Sequence, residues 1–576
     1  MATGGPVDIP FPLSTFPGSN PQESGGRLIN VTAEPIGEAS RPTAAAPQAW
    51  IRQPGLSQHN AVPTGQTGYR GGLLVNNFAY EIFANNSSTV DVNGAYVSLG
   101  NFPGTKKVSI ARNQAASPDV VAVDLDNGAY ALTTAGVPAA PVLYNGAGVL
   151  PQPKAVCFQD GYFFYLIADC RIFASALNAL GAINANTFTK MIAKADVIGQ
   201  RVIAYSGVLW GFTTGHCEIY QDTAQASPAF PYTRQLVIEY GLVQENAIAG
   251  WETGFSELLW VAQDFGVYWC TAGSYAPIKV SPPDLDELIE RRIRAGDLLE
   301  ASCYAEGGKK FWVISASTFT WEFNLSTKKW NERFSFSGSA YGRWRATGGH
   351  PAFNKWLMGD TLSGNILFVD RLNYTENGAP QLWRVESGPV RNFPAWLRVA
   401  RADFDMVMGA GINVAAVTTN VTGAASGTGG VVCLTVNNTA QMTTNDTANV
   451  SGVVGTTEAN TTALITVVDA THIELQGVPF VHAYVSGGVV VDVTAPPNVI
   501  APTISITCSL DGGTTWQNPR LRQLGQQGKA KRQRASVKNM GLAGPMGVRW
   551  RLDVTDAVYV SLFGGKQSSD MKEVGV

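Results

Sequence analysis

The sequence predicts an all-β protein whose strands are gathered into small antiparallel sheets that repeat along the chain and close on themselves. Three observations carry this. Apolar and polar residues alternate with the two-residue period of half-buried strands. Hairpin-like pairs of such runs recur about every 45–50 residues, within the range of repeating sheet units. Turn-forming Gly and Pro, 61 and 31 of 576 residues, are spread along the chain.

The clearest unit runs from Cys303 to Arg343. Lys310–Ser315 is short, β-branched and aromatic; Thr318–Asn324 alternates; Leu325–Lys329 is a polar turn; Trp330–Phe336 returns. The meander buries Trp321, Phe323 and Trp330 on one face, and a sheet this small needs neighbours to be stable. The chain supplies them. Gly161–Ile167 returns as Arg171–Ala174, Gly207–Phe212 as Cys217–Tyr220, Glu257–Ala262 as Gly266–Trp269, and Lys355–Gly359 as Asn365–Val369. Looser pairs lie at Gly72–Val75 with Ala79–Phe83, and Val120–Asp124 with Gly128–Leu132. Closing such sheets into a ring protects their edges. The expected fold is therefore a β-propeller of six to eight blades over residues 66–410, with Trp210, Trp260, Trp321 and Trp330 in the blade core. A row of β-sandwich domains is the alternative, disfavoured by even spacing and the lack of linkers.

The chain is 45% hydrophobic and only 15% charged, with net charge −3. That balance exerts no strong pull on nucleic acid or an anionic membrane, and it suits a chain that buries surface against partner subunits. The seven Cys are scattered without C-x-x-C spacing, which argues against a disulfide framework or a zinc site. The first residues lack the basic and apolar regions of a signal peptide. No apolar run reaches the roughly 18 residues of a membrane span. Folding in a reducing cytoplasm is expected.

Residues 1–65 are rich in Pro, Gly and Ala and read as an extended arm with few strands, lying across the ring or across other subunits. Residues 283–296 read as a helix on the ring edge, with Leu285, Leu288, Ile289 and Ile293 on one face and acidic residues in the first turn. From about 411 to 499 the composition changes: no Lys or Arg occurs between Arg401 and Arg520, and short Val/Thr-rich strands alternate. This stretch reads as an inserted small β-barrel or sandwich. Residues 500–576 return to the earlier style, completing or adjoining the propeller. Within them, Ser509, Asp511, Gly513, Thr515 and Trp516 fit the Asp-box S-x-D-x-G-x-T-W, a structural turn motif of propellers in which Asp caps backbone N–H groups and Gly takes positive φ.

Several stretches carry a resemblance. "NPQESGGRLINVTAEP" (Asn20–Pro35), "QPGL" (Gln53–Leu56), "GYRGG" (Gly68–Gly72), the Gly308, Thr320-Trp321, Trp330 and Arg333 pattern, and "GDTLSGNILFVDRLNYTENG" (Gly359–Gly378) resemble the packaged-DNA stabilisation proteins of short-tailed phages, the tail-nozzle or head-to-tail hub family. The order and spacing of these stretches carry the likeness, which covers most of the chain outside the insert. The insert is similar to a β-barrel module of phage virion proteins that also resembles a piece of ubiquitin-activating enzymes. The resemblance implies a virion tail component assembled in the host cytoplasm. It implies a homo-oligomer, a hexamer, that extends the channel for double-stranded DNA below the portal adaptor ring, retains packaged DNA, and docks tail fibre or tailspike proteins. No catalysis, cofactor, metal or membrane insertion is implied.

The five His have no metal or nucleophile spacing. Gly423–Gly430 lacks the Lys of a phosphate loop. The basic run Lys529, Lys531, Arg532 and Arg534 offers a contact to DNA phosphate or to a subunit, and its alternation favours a strand with a solvated or subunit-facing charged side. The other functional class is a glycan-active propeller, a sialidase-like depolymerase, motivated by the Asp-box and aromatic blades. Such an enzyme needs converging Arg side chains and paired acid and nucleophile; Arg70, Arg171 and Tyr162 are available but follow no motif order.

Overall fold

The computed structural model describes residues 6–36, 47–60, 64–225, 229–408, 417–439, 442–494, 502–524 and 532–572. Seven antiparallel sheets, taken in chain order, form a β-propeller. Blades 1 to 5 are four-stranded and consecutive, spanning residues 69–101, 108–144, 153–190, 199–238 and 248–279. Blade 6 spans residues 300–332. Blade 7 has three strands in sequence, Ala346–Ala352, Lys355–Asp360 and Ile366–Asp370, and takes its fourth, Gly55–Gln58, from near the N-terminus. The inner strand of blade 7 packs against that of blade 1, closing the ring. Each of the seven hairpins read from the sequence falls in a separate blade.

Blades stack through apolar faces. Trp210, Trp260, Trp321 and Trp330 all belong to one core cluster joining blades 4, 5 and 6. Trp210 meets Trp260 edge-on at 6.5 Å, and Trp330 contacts both Trp321 and Trp312 at 6.2 Å, arrangements that aromatic quadrupoles favour. The helix, Pro283–Arg294, links blades 5 and 6 and buries Leu285 and Ile289 in the same cluster. Its acidic first turn receives the N-terminal segment: Gly18 N–H donates to Asp284 at 2.9 Å, and Ser19 Oγ to Glu287 at 2.9 Å.

The two ends of the chain differ from the sequence expectation. The described residues 6–36 and 47–58 are no loose arm; they supply strands Val7–Asp8, Arg27–Ile29, Val31–Pro35, Gln48–Arg52 and Gly55–Gln58 to three sheets. Four of these join Trp383–Glu386, Trp396–Met408 and the strands between Thr503 and Lys572 in a β-sandwich of two facing sheets. Its core holds Phe11, Leu28, Val31 and Trp50 beside Phe404, Ile506, Trp550 and Leu562. The C-terminal segment therefore adjoins the propeller without completing it, and the blades end at Asp370, before residue 410. One sandwich sheet runs on into blade 6, where Ile29 pairs in parallel with Glu332. These strands have short apolar runs whose partners lie hundreds of residues away, so local periodicity could not reveal them.

The insert is a closed six-stranded barrel, from Thr418–Ser426 to Val489–Asp492, around Val421, Val432, Leu434, Ile465, Ile473 and Leu475. Among the described residues, no helix is long and apolar enough to cross a membrane, and all seven Cys are free thiols.

Candidate functional site: the central cavity and the closing seam

The inner strands of all seven blades surround a cavity of 1360 Å³. Polar side chains project into it from strands that are otherwise apolar. Glu300 of blade 6 accepts from Thr347 at 2.8 Å and pairs with Arg343 and, at 3.6 Å, with Lys107. Burial raises the Glu300 carboxyl, but the charges of Lys107 and Arg343 overcome this and bring it down to about 2. His350 Nε2 lies 3.3 Å from Glu81 where blades 7 and 1 meet. Arg201 of blade 4 faces the cavity with its guanidinium 5.3 Å above the Trp251 ring. Burial brings Arg201 down to about 10.

Beside the cavity lies the seam where the ring is shut, and the resemblance-bearing stretches converge on it. Arg333 is fully buried. It donates to Gln53 Oε1 at 2.8 Å and to the Pro54 carbonyl at 3.3 Å, lies 3.7 Å from Glu376, and stacks on Trp344 at 4.4 Å. Gln53 in turn donates to Glu322. Glu376 accepts from Gln381, Trp344 and Ser335. Arg27 grips Glu332 with two parallel bonds, 2.9 and 2.6 Å. Asn30, fully buried, bridges the Phe334 and Leu382 carbonyls. A Cβ on Gly55 would run into the Thr375 carbonyl, and one on Gly359 into the Tyr69 ring, so both positions admit only glycine. Arg70 staples blade 1 to blade 2, donating to Asp124 at 2.6 Å and to the Lys106 and Ala84 carbonyls.

The other sequence-derived residues lie apart from this region. The Asp-box sits in the sandwich, in the turn after strand Thr503–Ser509, and not in a blade. Its internal geometry is that of a capped turn: Thr515 N–H donates to Asp511 at 2.9 Å and Gly513 N–H to Ser509 Oγ at 2.7 Å. Burial acts to raise Asp511, and hydrogen bonds from Ser509 and Thr515 outweigh it, taking the carboxyl to about 2. Trp516 stacks under the Arg551 guanidinium at 3.9 Å. Lys529 and Lys531 lie outside the described residues; Arg532 opens strand Arg532–Ala543, and Arg534 is exposed on it, at the edge of a sandwich sheet. Arg70, Arg171 and Tyr162 do not converge: Arg70 is spent on its staple, Arg171 pairs with Asp169 at 2.8 Å, and Tyr162 packs against Phe164. Among the described residues, no group of three His, Cys, Asp or Glu is placed to hold a metal.

Sequence reasoning passed over Arg201, Trp251, Glu300, Glu81 and Glu376, and read His350 as a core or rim residue. The available signal was a charged residue within the apolar first strand of a blade, as in Gly199–Tyr205 and Glu300–Glu306.

No family model matches the chain, and a search of curated proteins found no match. Solved structures similar in fold include a streptogramin B lyase, at 14% identity and TM-score 0.37, covering 55% of this chain and 97% of that one. Others are the virginiamycin B lyase of Staphylococcus aureus, at 12% and 0.38, covering 54% and 98%, and the β-propeller domain of Myceliophteria thermophila Cps50 (Swd1), at 8% and 0.36, covering 54% and 99%.

Proposed function

We propose that this chain is a structural component of a short-tailed phage particle, a tail-nozzle segment that extends the DNA channel below the portal adaptor, retains packaged DNA and docks tail fibres or spikes. The observation that supports this most is where the resemblance-bearing residues lie. Asn30, Gln53, Gly55, Arg333 and Gly359 are buried, and Arg27 half-buried, in the seam joining the N-terminal segment, blades 6 and 7 and the sandwich. Their work is architectural: they hold three sheets in register.

The 1360 Å³ cavity is lined by the inner strands of seven blades of one chain. In this reading the DNA conduit is formed between copies arranged in a ring, six by the resemblance, and not through the propeller of one copy. Head-to-tail contacts of this kind close when the rotation between copies closes.

The test is assembly. The purified chain should bind the adaptor–portal complex as a six-copy ring, and heads completed with it should stop leaking DNA. Heads that lack the chain yet keep their genome would refute the proposal, as would hydrolysis of capsular or sialylated glycan by the purified chain.

A further inference from the structure

Arg201 has an environment that the architectural role leaves unexplained. Its side chain sits on the inner strand of blade 4, Gly199–Tyr205, and only 9% of the residue is exposed. Among the described residues its guanidinium donates no hydrogen bond to any protein acceptor, and Nε is fully enclosed without a partner. Other large buried arginines of the ring and seam do find acceptors: Arg70 reaches Asp124 and four carbonyl groups, Arg345 grips Asp360 with two bonds, and Arg333, whose Nε is also unpartnered, still reaches Gln53 and Pro54 through its terminal nitrogens. Enclosing the Nε donor without an acceptor is costly, and folded chains satisfy such groups; the terminal N–H groups are left facing the cavity.

The neighbouring carboxylates do not fill the gap. Glu245 pairs with Lys154 at 2.9 Å. Glu252 attracts Arg201 by charge but makes no hydrogen bond to it, using Oε2 to accept from Gly250 N–H at 2.7 Å and from Cys303 Sγ at 3.2 Å. The Trp251 ring lies against the guanidinium at 5.3 Å and holds it facing the cavity.

We infer that Arg201 anchors a small oxyanion, a carboxylate or phosphate group, inside the propeller's central cavity, with Trp251 fixing the orientation of the guanidinium fork. A planar fork with free N–H groups matches such anions with two parallel bonds. The 1360 Å³ cavity admits a small molecule. This inference stands independently of the tail-nozzle proposal.

The experiment uses the full chain, titrated at fixed ionic strength with inorganic phosphate in one arm and acetate in the other. Melting temperature and tryptophan emission are followed. At least one anion should raise the melting temperature in a saturable manner and change the emission. Arg201→Met should abolish the response, and Arg201→Lys, which keeps the charge and loses the fork, should weaken binding at least tenfold. Arg171→Gln, on the outside of blade 3, should bind as wild type. A response to phosphate alone assigns a phosphate group, and to acetate alone a carboxylate. A flat wild-type response to both anions overturns the inference. So does Arg201→Lys binding within twofold of wild type, a result that decides the matter even if Arg201→Met fails to fold.

Discussion

Two junctions in the same ring are built in opposite ways. Blades 4, 5 and 6 meet through Trp210, Trp260, Trp312, Trp321 and Trp330, with Phe212 and Phe323 between them. The seam beside blade 7 buries Arg52, Gln53, Arg333, Glu322 and Glu376. Consecutive blades follow one another directly in the chain, so apolar area alone suffices to bring them together, and burial is non-directional. The closing strand comes from far away: Ser57 bonds Asp370 across 313 residues. Its register must be chosen, and a slip of one residue would turn every side chain to the wrong face. Directional hydrogen bonds select that register where grease would not.

The largest effects should come from truncating each junction at its centre. Arg333→Ala leaves buried carboxylates at Glu376 and Glu322 without their cation and should cost about 3–5 kcal/mol. Trp210→Ala should cost a similar ~3–5 kcal/mol through lost burial and the cavity left behind. The two should differ in how they can be repaired and in what comes loose. Arg333→Met combined with Glu376→Gln should recover much of the loss in denaturant unfolding, because a neutral pair replaces an orphaned charge. Limited proteolysis should cut the N-terminal segment of Arg333→Ala first, while the blades of Trp210→Ala open together. An Arg333→Ala midpoint indistinguishable from wild type would mean that apolar packing alone closes the ring.

A smaller effect separates the cavity from both junctions. The Glu300 carboxyl, at about 2 in the folded chain, lies below its ordinary value of 4.5. A lowered carboxyl contributes stability in full above its ordinary value and loses it as pH falls toward the folded one. Glu300→Gln should therefore cost roughly 1–2 kcal/mol at neutral pH, discounted for partial exposure. It should also flatten the acid limb of the melting curve between about pH 4.5 and 2. An unchanged acid limb would show that Lys107 and Arg343 do not act on this carboxylate.

The blades were legible because the hairpin at the heart of each is made locally. Glu257–Val261 and Val267–Thr271 pair across five residues, and their alternation is visible without any partner. The helix was legible for the same reason, from the spacing of Leu285, Leu288, Ile289 and Ile293. The seam was visible only as a set of separate motifs: nothing in "QPGL" says that Gln53 will meet Arg333, since that contact is a property of the closed ring. The sandwich was hidden because Arg27–Ile29 is three residues long and becomes a strand only between Val385 and Glu332. Arg201 was hidden because one charge in an apolar strand looks like a surface residue until the other six inner strands enclose it.

The Asp-box gives the smallest effect and tests whether motif or location governs. Its sequence reading ties it to propeller blades, whereas Asp511 lies in the sandwich. Asp511→Ala removes the acceptor for the Thr515 N–H and hydroxyl. The turn is largely open to solvent, so water replaces part of what is lost, and the cost should be about 1 kcal/mol. Hydrogen exchange should quicken at the Thr515 amide and along the strand ending at Ser509, and stay unchanged in the inner strands of the ring. Since the carboxyl is held at about 2, below its ordinary 3.8, its contribution is present at neutral pH and lost as pH falls through that interval. The variant and wild type should therefore converge in acid. If exchange instead quickened in blade 7 as much as in the sandwich, the turn would be coupled to ring closure through Arg549, whose guanidinium bonds the Pro21 carbonyl at 2.8 Å and Ser24 Oγ at 2.9 Å in the segment that leads to the closing strand.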